Sequence, residues 1–321
     1  MRNVTVRIVR DDGLGDSNPS FLLGSGRWHI EKGGLEGYDG LDSEVSSDAY
    51  AVYDGSYLLG ERSGNKDRTI TAFYTGPQQE GRSEAESFFR AGYRYDVHVD
   101  TGQVRRWFSC RQCAMALPIS PDSGFQQLMW TCIALDPYFL SEDSRSFNMA
   151  EAKRKFGFPY CSFAQRWAPT PEATNEAAAD TVYGKNGVAQ PAHIKGMVFG
   201  VISRNIAMDI GGNAPTFPRF DIKATGDVTT PQVTVKDAAG ATVCSFGLAV
   251  TMKAGDVLVV DFATHPTTFQ LNGADVSQRA TAGSTLTCAL NPGRSHVSWS
   301  AAGGDASMGL VPTIRDRFST V

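Results

Sequence analysis

Apolar and polar residues alternate with a period of two along much of this chain, and that period predicts strands. Near the start, Val4, Val6 and Ile8 stand against Thr5, Arg7 and Arg10. In the stretch 68–76, Ile70, Ala72 and Tyr74 alternate with Thr71, Phe73 and Thr75. Farther on, Tyr95, Val97 and Val99 face one side of a strand and Asp96, His98 and Asp100 the other. Thr101-Gly102 separates that strand from a second over 103–110. The run 127–135 is the most apolar of this half, and Asp136-Pro137 ends it, because proline has no amide to donate and restricts the residue before it. One stretch changes period: Ala85, Phe88 and Phe89 have helical spacing, with Ser83 and Glu86 placed as a capping box and Gly92 as a stop.

Between the Asp54-Gly55-Ser56 turn and the strand at 68–76 lies a polar excursion. Glu61, Arg62, Lys66, Asp67 and Arg68 are interleaved there with Gly60, Gly64 and Asn65. No apolar face is available to fold back onto a core, so these five residues are expected to project as oligomer-interface or lumen candidates. An ordinary surface loop on a monomer is the other reading.

From Val198 onward strand signals recur every 8–12 residues or so. Phe220, Ile222 and Ala224 alternate with charged residues, Val257–Phe262 is apolar on both faces and should be central, and Asn272-Gly273 is a strong hairpin signal. This pattern predicts an antiparallel sandwich or jelly roll. The expected division is a first domain over 1–140 and a second over 141–321. The Ala-, Pro-, Thr- and Asn-rich stretch 164–196 is expected to be a long loop.

Composition narrows the function classes. The 321 residues are 41% hydrophobic and 20% charged, with a formal charge of −4. That balance argues against a dedicated nucleic-acid binder, whose affinity rests on concentrated Lys and Arg. The first residues lack the apolar block of a signal peptide, and no run approaches the roughly 18–20 apolar residues of a membrane helix, so a soluble, cytosolically made chain is expected. Of six cysteines only Cys110 and Cys113 are close, without the second pair that a zinc site needs. All six are expected to be reduced, with Cys132, Cys244 and Cys288 acting as small hydrophobes in apolar runs. The Asp96, His98, Asp100 row reads as a solvated strand face rather than a metal site. There is no Gly-x-Ser-x-Gly elbow, and His29, His98, His193, His265 and His296 form no HExxH pair. No catalytic residue, cofactor site or metal ligand is assigned, and the chain is expected not to be an enzyme. Alternation places Phe269 and Trp299 in a core. Trp167, in the expected loop, is the candidate for an exposed glycan contact.

Several motifs, taken in order, resemble a known family. Gly34-Leu35, Asp54-Gly55-Ser56, Arg68-Thr69-Ile70-Thr71, the helix at 83–91 and Asp136-Pro137-Tyr138-Phe139 are similar to the distal tail protein of long, non-contractile-tailed, siphovirus-type bacteriophages. The Asn213 to Pro218 segment, Thr230-Pro231, Lys253 to Leu258, Leu271-Asn272-Gly273 and Leu290 to Gly293 resemble that family's C-terminal galectin-like domain. The resemblance implies a mainly β chain: a tail-tube-like β-sandwich with one flanking α-helix, followed by a galectin-like antiparallel β-sandwich (jelly roll). It implies a structural baseplate hub at the virion tail tip, a hexameric ring joining the tail tube to the host-adsorption apparatus around the DNA conduit. Its partners would be copies of itself, the tail tube protein, and the tape-measure and tail-tip hub proteins, with no sequence-specific nucleic-acid binding and no membrane. A carbohydrate-binding host-receptor module and a tail-associated hydrolase are the alternative readings.

Overall fold

The alternating positions of the first half are the ones that fill a core. The computed structural model describes residues 4–50, 53–119, 124–147, 182–183, 189–190, 205–264 and 266–321. The first half contains β1 (Thr5–Asp11), β2 (Ser20–Leu23), β3 (Trp28–Glu36), β4 (Ser43–Ala49), β5 (Ser56–Ser63), β6 (Lys66–Tyr74), α1 (Gln78–Phe88), β7 (Arg94–Asp100), β8 (Arg105–Ala116), β9 (Gln126–Ala134) and β10 (Phe139–Ser141). One antiparallel sheet runs β2-β1-β7-β8-β9-β6-β3, with β10 added alongside β8. Val6, Ile8, Ile70, Ala72, Tyr95, Val97, Leu128 and Trp130 are buried together on its inner face. Phe21, Phe88, Phe89 and Tyr95 form an aromatic cluster that Trp130 completes.

The helix closes over this face with Gly81, Ala85 and Phe88. It lies tight against β6: a Cβ on Gly81 would stand 2.6 Å from the Tyr74 ring. Its start differs from the expected one. Pro77, whose φ of −56° suits a helix entry, is the N-cap, and no side chain caps the first turn. Ser83 therefore lies inside the helix, and Glu86 pairs with Arg82 at 2.9 Å instead of serving a capping box.

The second half contains β11 (Arg145–Ser146), β12 (Val182–Tyr183), β13 (Ala189–Gln190), β14 (Asn205–Ile210), β15 (Arg219–Ala224), β16 (Val228–Asp237), β17 (Thr242–Gly247), β18 (Thr251–Met252), β19 (Val257–Asp261), β20 (Thr268–Leu271), β21 (Ala274–Asp275), β22 (Gly293–Gly303), β23 (Met308–Ile314) and β24 (Arg317–Phe318). A sheet in the order β11-β23-β15-β19-β20-β21 and another in the order β14-β22-β16-β17 share a second core. β19 is interior to its sheet, as its two apolar faces require. Asn272 and Gly273 both have positive φ, 51° and 84°, the backbone of a two-residue hairpin turn. Phe269 and Trp299 are core residues. The chain is mainly β, as expected. Apart from the β12–β13 pairing, the stretch 164–196 lies outside the described residues.

One cysteine expectation is corrected: Cys244 and Cys288 form a disulfide. They are 44 positions apart, and folding brings their Cα atoms to 5.5 Å. That Cα separation lies within the range a disulfide spans, and packing rather than sequence proximity produces it. Cys110, Cys113 and Cys132 are free.

The halves are tied at a second point besides the connection after β10. Strand β24 pairs with β10, and Phe318 and Val321 pack against the first core. Arg317 spans the junction: its guanidinium lies over Tyr138 and Phe217 and pairs with Asp136.

Candidate assembly surface

Two strands that leave the first sheet make its most exposed feature. β4 and β5 pair with each other as a separate two-stranded sheet, in register from Ser43↔Ser63 to Ala49↔Ser56. Every residue of the two strands is exposed except Ser63, which is half-buried. The Asp54-Gly55 turn closes the tip: the Tyr50 amide donates to the Gly55 carbonyl at 3.2 Å, and Gly55 has a φ of 104°. The projecting element is thus an ordered ribbon, longer than the excursion expected at 60–68.

The five charged candidates separate within it. Glu61 accepts from the Ser43 hydroxyl at 2.6 Å, and Arg62 pairs with Glu44 across the ribbon at 2.7 Å. Lys66 pairs with Asp42 at 2.9 Å, and Asp67 is exposed at the start of β6. Glu61, Arg62 and Lys66 therefore each have a partner within their own chain. Arg68 is corrected outright as an interface or lumen residue, because it is fully buried. Its guanidinium sits 4.0 Å from the centroids of both Phe108 and Phe139, and burial holds its pKa below the ordinary arginine value. Alternation along β6 put it there, in phase with Ile70, Ala72 and Tyr74.

The ribbon also carries residues that charge-based reading missed. Val45, Tyr50, Tyr53, Tyr57, Leu58 and Leu59 are exposed on it, Tyr53 at 77% and the two leucines at 62%. The Tyr50 and Tyr57 rings lie 5.4 Å apart, tilted by 47° to one another. At the base lies a cleft of about 350 Å³, lined by Leu41, Asp42, Glu61, Arg62 and Tyr138 among others. The available signal was Asp54-Gly55 followed by Tyr57-Leu58-Leu59. It was masked because the opposite strand, SEVSSDA, is almost wholly polar.

Elsewhere the polar strand faces satisfy themselves. Asp96 accepts from Ser109, His98 Nδ1 lies 3.0 Å from Glu142, and Asp100 pairs with Arg105 at 2.8 Å. Among the described residues no group of three or more His, Cys, Asp or Glu could hold a metal, and no helix is long and apolar enough to cross a membrane. Trp167 lies outside the described residues.

Residues 211–308 match the family of the siphovirus-type tail component, C-terminal domain. Along the whole length, the chain has a fold similar to that of the SPP1 Dit protein, whose crystal structure is described as a paradigm of the hub adsorption apparatus in phages infecting Gram-positive bacteria. The TM-score is 0.62 at 10% identity, over 98% of this chain and 99% of that one. The phage P2 baseplate, in its activated conformation with Ca, is similar with a TM-score of 0.53 at 10% identity, over 99% of each chain. Its form with Sr gives the same values. No curated protein matches the sequence. The family match covers residues 211–308, and the likeness to these solved structures extends the shared fold over the rest of the chain.

Proposed function

We propose that this tail component is a structural, non-catalytic hub that assembles as a six-fold ring through its first domain. The ring joins the tail tube to the host-adsorption apparatus and encloses the DNA conduit. Residues 1–140, joined by the β24 return, build the ring, and the galectin-like second domain decorates its outside. Its partners are further copies of itself, the tail tube protein and the tape-measure and tail-tip hub proteins. The chain is made in the host cytoplasm and comes to rest at the virion tail tip.

One observation carries this reading: the β4–β5 ribbon holds six large apolar side chains in solvent, away from its own core. A monomer gains nothing from that exposure, whereas a neighbouring copy would bury it at roughly 25 cal/mol per Å². Mass photometry of the full chain tests the proposal. The expected species has six times the 34.6 kDa chain mass. A solely monomeric protein that is also missing from purified tails would refute it.

A further inference from the structure

The acidity of the chain is concentrated on the ribbon. Between 42 and 63, Asp42, Glu44, Asp48, Asp54 and Glu61 stand against Arg62 alone, a net −4 that equals the formal charge of the whole chain. The remainder is therefore balanced. A finger with such charge and an exposed tyrosine tip fits a surface that is cationic around an apolar floor.

The outward face of β1, β7 and β8 offers such a surface. Arg7 is exposed on β1, in register between Leu22 of β2 and His98 of β7, and Trp107 continues the row on β8. Leu22 is also exposed. Arg111 stands directly opposite Arg94, whose charge is met by Asp96, and Arg111 itself has no ion pair among the described residues. The carboxylates of this face are already engaged: Asp96 by Arg94, Asp100 by Arg105, and Glu142 by His98. Asp11, beside Arg94, accepts from the Gly13 amide. Among the described residues Arg111 bonds only the Gly92 carbonyl, and Arg315 lies over Trp107 while donating to the Glu142 carbonyl. Arg7 has no ion pair among the described residues.

We infer that the ribbon of one copy docks, through its carboxylates and tyrosines, on this arginine-bearing face of the next copy. Finger and face are different surfaces of one chain, so the contact is heterologous and repeats head to tail until rotation closes a ring. Carboxylate–guanidinium pairs and tyrosine rings over arginine supply the specificity. The inference rests on the ring reading above and names the contact that builds it.

Two double variants of the full chain test it: Asp54→Arg with Glu61→Arg, and Arg7→Glu with Arg111→Glu. All four positions are exposed, so thermal melts should match the parent. Each variant alone is expected to lose assembled species by at least about tenfold in mass photometry, since like charges then meet across the contact. Mixed in equal amounts, the two should reassemble. A reversed ribbon meets a reversed face, a native ribbon meets a native face, and the alternation closes in an even-numbered ring. Assembly surviving in either variant, or a mixture that stays dissociated, overturns the contact while leaving the ring itself standing. A parent chain that is monomeric at every concentration and missing from purified tails overturns both.

Discussion

The Arg68 guanidinium donates from Nη2 to the carbonyl of Pro137 at 2.6 Å, and from Nε to the carbonyl of Gly37 at 3.2 Å. It thereby holds the chain just before the ribbon and the chain just after β9 against the same core. Its third nitrogen, Nη1, has no hydrogen-bond partner among the described residues. Arg68→Ala should cost about 3–5 kcal/mol, combining a large cavity with two buried carbonyls left without donors. Arg68→Met should cost less, about 1–2 kcal/mol, since it keeps the volume between Phe108 and Phe139 and removes a buried charge. Urea unfolding midpoints compare them. Equal losses for Met and Ala would show that the cation, not its volume, holds the site.

Arg68 also shows what the sequence could and could not disclose. Period-two alternation located β1, β6, β7 and β9 with their buried faces, because each has one face on a core and one in solvent. The same alternation includes Arg68 in the buried set, yet its charge pointed outward. What overrides the charge is a slot made by the Phe108 and Phe139 rings and by two carbonyls that lie 31 and 69 positions away. The ribbon was half-legible for another reason: a two-stranded finger with no core has no apolar phase to reveal it. The Arg317 junction was not legible at all, because β24 pairs with β10 across most of the chain's length.

The disulfide makes a separate prediction. Cys244 and Cys288 close a 44-residue separation within the second core. Cys244→Ser with Cys288→Ser should destabilise that domain by about 2–4 kcal/mol, chiefly by freeing its unfolded state. A reductant should lower the melting of the parent and leave the double variant unchanged. If reductant leaves the parent's melting where it was, the thiols are unpaired in solution.

Two aspartates set an acid-side dependence. Asp100 accepts from the Gly102 amide at 2.7 Å and from Arg105, and these bonds hold its pKa below the ordinary 3.8. Asp256 accepts from the Lys253 amide at 2.7 Å and from Asn272 at 2.8 Å, with the same downward direction. Because the folded values lie below the unfolded ones, the unfolded chain takes up protons first as pH falls. The stability these groups contribute is present above about pH 4 and is lost as pH drops through the depressed values. Denaturant midpoints followed from pH 6 to pH 3 should decline, and Asp256→Asn should flatten the part of that decline belonging to the second domain. An unchanged slope in that variant would remove Asp256 as a source.

The junction between the halves is tested at Gly212 and Arg317. Gly212 has a φ of 81°, and a Cβ there would lie 2.2 Å from the Arg317 carbonyl oxygen. Gly212→Ala thus combines a strained backbone with a collision against a strand that is itself pinned, and should cost about 2 kcal/mol or more. Arg317→Ala acts on the same junction from the other side, removing the guanidinium that spans Tyr138, Phe217 and Asp136 and donates to Pro215 at 2.9 Å. Its packing, rather than its charge alone, makes the loss large, because the residue is 7% exposed. Both variants should leave the two cores intact but loosen β24 from β10. Hydrogen exchange would then rise at 139–141 and 317–318 while the interiors of β6 and β16 stay protected. Exchange rising evenly through both cores would instead mean that the clasp is part of one cooperative unit, and that the halves do not fold apart.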